Sequence, residues 1–224
     1  MRPPRRIVRR ALCGYGVAVA TSHVVGFTVV AAARAVGGDP RARDAGSIRN
    51  LRRVDDRVWA GAQPDAGEYR DLADQGVRLV VDLRTGARDD PRRDDPGYLR
   101  SLGVDYVSLP VPDGRVPSRA TVDALVRAVE RAGGGAFLHC GGGVGRSTTA
   151  QGAYLAATGR RPRRAELLAV GPMALEQLWF VATGCTRVPR IVSALSIALD
   201  APRRIRGRIR SWPRRTLDSE RVFV

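Results

Sequence analysis

Ala136-Phe137-Leu138-His139-Cys140-Gly141-Gly142-Gly143-Val144-Gly145-Arg146-Ser147-Thr148-Thr149-Ala150 is the stretch on which the reading of this chain turns. An apolar run ends in His139-Cys140. Small residues follow, all glycine except Val144. Then come Arg146, hydroxyl residues, and a segment suited to a helix from Ala150 to Ala157. The order reads as strand, anion-binding loop and helix. A helix N-terminus presents unpaired N–H groups and the positive end of the helix dipole, and Arg146 adds a full charge. Both favour the thiolate of Cys140, the form in which sulfur is a nucleophile. Gly141, Gly142, Gly143, Val144 and Gly145 allow the backbone to curl so that successive N–H groups point inward at phosphate oxygens. Arg146 supplies a bidentate clamp. Ser147 is placed to hydrogen-bond the sulfur, and His139 reads as an orienting group rather than a base.

Outward from this loop, strand and helix signals alternate. Arg57–Gly61 is a short strand. Asp65–Gln75 is a helix with Asp65 near its N-cap and Gly76 as its stop. Val77–Leu83 is a β-branched, buried strand. Residues 86–97 form a charged, solvated loop. Tyr98–Leu102 is a helical turn, Val104–Leu109 a strand, Pro110–Pro117 a loop and Ser118–Ala132 an amphipathic helix. Arg163–Val170, Met173–Val181 and Ile191–Leu199 are short helical or apolar pieces. The alternation predicts an α/β fold with a mostly parallel central sheet flanked by helices, in which ligands sit at the carboxyl ends of the strands, where Cys140 falls.

Phosphoryl transfer through a thiolate also needs a proton donor for the leaving oxygen and later a base for water. Asp113 is the candidate, in a Pro/Gly loop directly after a strand. Asp82 and Arg84 end the preceding strand on the same side and read as a buried supporting pair.

His139-Cys140-x-x-Gly143-x-x-Arg146-Ser147 resembles the signature loop of the cysteine-dependent protein tyrosine phosphatases. The order Val80-Val81-Asp82-Leu83-Arg84, then Leu109-Pro110-Val111-x-Asp113 with Pro117, then the signature, is similar to their compact dual-specificity branch. Gly171-Pro172-x-x-Leu175-Glu176-Gln177 resembles bacterial members. The likeness runs from Leu51 to Val181. It implies Cys140 as nucleophile, Arg146 as phosphate clamp, Asp113 as general acid and base, Ser147 as thiolate stabiliser, and a sheet flanked by helices.

Composition sets the outer bounds. The chain has 224 residues and a net charge of +16, and all of its basic residues are arginine. Such a balance favours anionic partners. Aromatics make up 5% with no basic–aromatic interleaving, which argues against nucleic acid. Cys13, Cys140 and Cys185 lie far apart, and His23 and His139 are the only histidines. The pattern suits neither a disulfide framework nor a metal site, and no cofactor motif is present.

Residues 1–10 are a basic flank, and residues 11–33 hold no charged side chain. At ~1.5 Å per residue the apolar run can cross ~30 Å of hydrocarbon. A single-pass anchor is favoured over a cleaved signal peptide because the run exceeds the usual signal core. Arginines on both sides leave the side of the catalytic domain open. Residues 34–50 read as a linker, 51–185 as the catalytic domain, and 186–224 as an apolar helix with an Arg-rich tail. Within that tail, 203–215 carries interleaved Ile205, Ile209 and Trp212 and suits an anionic lipid surface.

The expected activity is hydrolysis of phosphate monoesters through a Cys140 phosphocysteine, on phosphotyrosine and also phosphoserine or phosphothreonine in proteins. A lipid or inositol phosphate phosphatase at the membrane is the second reading. A non-catalytic phosphoresidue-binding module and a rhodanese-type sulfurtransferase are the others.

Overall fold

A computed structural model of the chain describes residues 5–38, 47–85 and 96–202. After a long helix α1 (Arg5–Gly37), the chain forms β1 (Arg52–Arg53), β2 (Val58–Ala62), α2 (Ala66–Asp74), β3 (Val77–Asp82), α3 (Pro96–Ser101) and β4 (Asp105–Ser108). It continues with α4 (Arg119–Arg131), β5 (Gly135–Cys140), α5 (Gly145–Ala157), α6 (Arg164–Ala169) and α7 (Leu175–Ala182). A further helix, α8, covers 190–202.

Among the described residues the five strands form one sheet in the order β1-β2-β5-β3-β4. β2, β5, β3 and β4 run parallel, and β1 is an antiparallel edge on β2. β5 is therefore central, and its carboxyl end is flanked by β2 and β3. The fold is the expected α/β arrangement. β1 is an addition that a two-residue strand of arginines does not announce.

Side-chain alternation decides which way each strand residue points. Leu79, Val81 and Leu138 face the layer of α4 and α5, with Leu125, Val129, Ala150 and Tyr154. Val80 and Phe137 face α2 and α3, with Tyr69, Leu72 and Leu99. Continued along β5, this alternation sends His139 to the Phe137 side and Cys140 to the Leu138 side. A third cluster joins α5 to α6 and α7 through Ala153, Leu167, Phe180, Val181 and Cys185.

The caps are locally encoded. Asp65 accepts from Glu68 N and Glu68 returns a bond to Asp65 N, a full capping box at the start of α2. Ser118 accepts from Thr121 N to start α4. α5 starts at Gly145, well before the expected Ala150, so Arg146 and Ser147 lie within its first turn.

Two expected segments differ in extent. The apolar helix runs from Arg5 to Gly37 rather than over 11–33. Among the described residues, one helix is long and apolar enough to cross a membrane. It does not stand apart from the domain. Val30 and Ala33 are buried, Arg34 Nε donates to Ala169 O at 2.9 Å, and Tyr15 Oη donates to Ala198 O at 2.6 Å. Within the expected linker 34–50, the described residues include 34–37, which finish α1, and Ile48, which is buried in the core beside Phe137. Residues 39–46, positions 86–95 of the expected loop 86–97, and the Arg-rich stretch 203–215 lie outside the described residues.

Candidate active site

Cys140 is the last residue of β5, and α5 begins five positions later, so the loop between them closes over the carboxyl end of the sheet. Cys140 is buried. The N-cap residue of α5, Val144, makes no side-chain cap bond, so no side chain of its own competes for the first N–H groups of the helix. Those donors are suited to an anion.

The loop glycines are not equivalent. Gly143 has φ +70, and a Cβ there would run into the backbone of Gly61 and Ala62. It must be glycine on both counts. Gly145 lies against the side chain of Gln177 and Gly171 against Val144, whereas Gly141 and Gly142 face open space.

Arg146 is buried, and its Nε lies 3.8 Å from Asp113 Oδ1 on the half-exposed loop after β4. The residue expected to clamp phosphate and the residue expected to supply the proton thus meet across one small volume. His139 is fully buried on the far side of β5, stacked on Phe137 and 3.4 Å from Tyr69 Oη. That position turns the imidazole away from the loop and toward the α2 side of the sheet.

Asp82 and Arg84 form the expected buried pair. Arg84 donates through Nε and NH2 to the two carboxylate oxygens at 2.9 Å, its backbone N–H adds a third bond, and Tyr106 Oη donates a fourth. Burial alone would raise the Asp82 carboxyl. The Arg84 hydrogen bonds and the charges of His139 and Arg84 outweigh it and hold the group below its ordinary value.

Ser147 has a partner that the sequence did not suggest. Its hydroxyl donates to Gly61 O at 3.1 Å, and among the described residues no hydrogen bond joins it to the Cys140 sulfur. A hydroxyl has one proton, and a carbonyl is a stronger acceptor than a thiol sulfur. In this arrangement Ser147 ties α5 to β2.

The structure adds residues that sequence reasoning left without a role. Glu176, almost fully buried, accepts from Val116 N at 3.2 Å and pairs with Arg115 at 2.9 Å. Gln177 donates to Arg115 O at 3.0 Å. Both side chains of α7 therefore grip the loop that carries Asp113. Their signal was the Glu176-Gln177 pair itself, polar residues inside an otherwise apolar helix. Arg52 stands in sequence among other arginines that follow the apolar segment. It is buried beneath the loop and bonded to Gly143 O.

The other thiols have different surroundings. Cys13 is exposed on α1. Cys185 is buried against Gly152, and burial pushes its thiol up to about 12 despite Arg164. No group of three or more metal-ligating side chains occurs among the described residues.

Comparison with known proteins agrees with this geometry. The family described as "Polymorphic toxin system, DSP-PTPase phosphatase" matches residues 56–160. The bovine (Bos taurus) dual specificity protein phosphatase 26 is 33% identical over 105 residues, 45% of this chain and 50% of that protein. The chain thus spans about half the length of the curated relatives it matches. Among solved structures, Tk-PTP in its active form is 25% identical with a TM-score of 0.50, over 61% of this chain and 95% of that one. PTPMT1 in complex with PI(5)P is 22% identical with a TM-score of 0.52, over 65% and 98%. The signature loop, the parallel sheet beneath it and these likenesses point the same way: residues 56–160 are similar to the cysteine-dependent, dual-specificity phosphatase-like superfamily.

Proposed function

We propose that this protein is a cysteine-dependent phosphatase that hydrolyses phosphotyrosine, and also phosphoserine or phosphothreonine, in proteins. The observation that carries the reading is the meeting of Cys140, the glycine loop and Arg146 with Asp113, whose carboxylate lies 3.8 Å from the Arg146 guanidinium. In the proposed first step the Cys140 thiolate attacks phosphorus. The P–O bond to the leaving group breaks, and Asp113 gives that oxygen its proton. In the second step Asp113 takes a proton from water as the water oxygen attacks phosphorus. The S–P bond breaks, releasing phosphate and the thiolate. Loop N–H groups and Arg146 hold the three non-bridging oxygens throughout, and the charge in transit is stabilised most where donors are already aimed.

A second reading, a lipid or inositol phosphate phosphatase, is favoured by the apolar helix α1. PTPMT1, whose structure holds PI(5)P, shares the fold. Against it, the loop from Gly141 to Gly145 carries no Lys or Arg for further phosphates. In either reading α1 and the arginine-rich segments bring the enzyme to a membrane surface, as a single-pass protein.

A panel of phosphopeptides and phosphoinositides, assayed with the full chain in detergent, separates the two. Preferential release of phosphate from phosphotyrosine peptides supports the first reading, and preference for the lipids overturns it. Cys140→Ser abolishes turnover in either reading, and wild-type-like turnover in that variant overturns the phosphocysteine route.

A further inference from the structure

A phosphate cradle works only if its N–H groups already point inward, and something must hold them against the tendency of a glycine-rich loop to relax. The two side chains that do so here precede the segment matched by the family, which begins at residue 56. Asn50 Nδ2 donates to Gly142 O at 2.8 Å, and Arg52 NH1 donates to Gly143 O at 2.9 Å. A longer contact, 3.5 Å, runs from Gln63 N to Gly141 O. Three successive loop carbonyls are therefore held from the β1–β2 side.

No cis peptide bond occurs among the described residues. In a trans peptide the C=O and the following N–H point in opposite directions. Gripping the carbonyls of Gly142 and Gly143 therefore turns the N–H groups of Gly143 and Val144 the other way. We infer that Asn50 and Arg52 are positioning residues for the phosphatase reaction, a brace that aims the Gly143 and Val144 N–H groups at the phosphate. The inference rests on the phosphatase reading above.

Arg52 is built for this. It is 3% exposed, and its other bonds go to Gln151 Oε1 at 2.7 Å, Thr148 Oγ1 at 3.0 Å and Asn50 O at 2.9 Å. One planar fork thus ties the β1 edge, the loop and the first turns of α5 into a single unit, a geometry that lysine cannot reproduce. Among the described residues all of its acceptors are neutral oxygens, and a buried charge held without a carboxylate is costly to keep. Burial pushes the guanidinium down to about 10, while Cys140 pulls it the other way. It is charged at neutral pH, and its field adds to that of Arg146 on the side where anions bind. Asn50 contributes a local oddity of its own: it sits at φ +57, the left-handed region that asparagine tolerates best after glycine.

The test uses the full chain in detergent: wild type, Arg52→Gln and Asn50→Ala, each checked for folding by its melting curve. Iodoacetamide labelling is read peptide by peptide while inorganic phosphate is titrated, so that protection of Cys140 reports anion binding without turnover. Cys185, whose thiol is pushed up to about 12 by burial, stays protonated and serves as the unreactive internal standard. The brace predicts that the phosphate concentration giving half-protection rises about tenfold in Arg52→Gln and about threefold in Asn50→Ala, well below either melting temperature. Wild-type half-protection in a folded Arg52→Gln overturns it. Should Arg52→Gln fail to fold, the half-buried Asn50 decides, and unchanged protection in Asn50→Ala overturns the brace. If phosphate fails to protect Cys140 in the wild type, the phosphatase reading falls and takes the brace with it. Weakened protection in the variants beside firm protection in the wild type supports both.

Discussion

The Arg146 guanidinium and the Asp113 carboxylate face each other at 3.8 Å, one buried on the first turn of α5 and the other half-exposed on the loop after β4. An anion held by Arg146 would have its leaving oxygen within a carboxyl group's reach. Asp113→Asn keeps the shape of the loop and removes the proton donor. Hydrolysis of aryl phosphates with poor leaving groups should fall by about 10²–10⁴, while good leaving groups, which depart without a proton, lose far less. A leaving-group series on purified protein checks this. Equal loss across the series would take Asp113 out of the acid role.

The loop that carries Asp113 is held at a distance by Glu176, whose buried carboxylate grips Val116 N and Arg115. Glu176→Ala leaves a backbone N–H and a guanidinium without their acceptor and lets the loop drift. Displacement of a catalytic group by about 1 Å can cost up to ~10²-fold. We expect kcat to fall about tenfold or more with KM little changed, because the binding loop itself is untouched. A KM rise at constant kcat would show that Glu176 supports binding instead.

Gly143 and Gly141 make a controlled comparison within one loop. Alanine at Gly143 meets both a left-handed φ and the backbone of β2, whereas alanine at Gly141 meets open space. Gly143→Ala should therefore destabilise the fold by about 1–3 kcal/mol and abolish phosphate protection of Cys140. Gly141→Ala should melt within about 0.5 kcal/mol of wild type. Equal melting temperatures for the two variants would contradict the assigned backbone.

The contrast between these glycines also marks how far the sequence could be read. The alternation of apolar runs with helix signals gave the parallel sheet, and the spacing of Cys140, Arg146 and Asp113 gave the site, because both depend on local pattern. The Ser147 bond to Gly61 O could not be read from local pattern, because Gly61 belongs to a strand far away in sequence. Arg52 was hidden for a similar reason. A buried arginine bonded to Gly143, Thr148 and Gln151 is indistinguishable, in sequence, from the solvated arginines beside it. The start of α5 was missed because glycines weaken a helix intrinsically, and here the sheet end and the buried Arg146 override that preference.

Asp82 links the site to acid stability. Its folded-state carboxyl titrates below the ordinary value of ~3.9, because the Arg84 hydrogen bonds and nearby positive charge outweigh the opposing effect of burial. The native state therefore binds this proton less readily than the unfolded chain. The stabilisation is full above pH ~4 and is lost as pH falls through the lower, folded value. Asp82→Asn removes the buried carboxylate that accepts two Arg84 side-chain hydrogen bonds, at a cost of about 3 kcal/mol near neutral pH. For a domain of this size that corresponds to roughly 10 °C in melting temperature. The difference between wild type and variant should hold from about pH 7 to pH 5 and shrink toward pH 3, as the wild type loses what the variant never had. A gap that stayed constant down to pH 3, in melting curves taken with phosphate absent, would mean that the Asp82 charge contributes nothing to the fold.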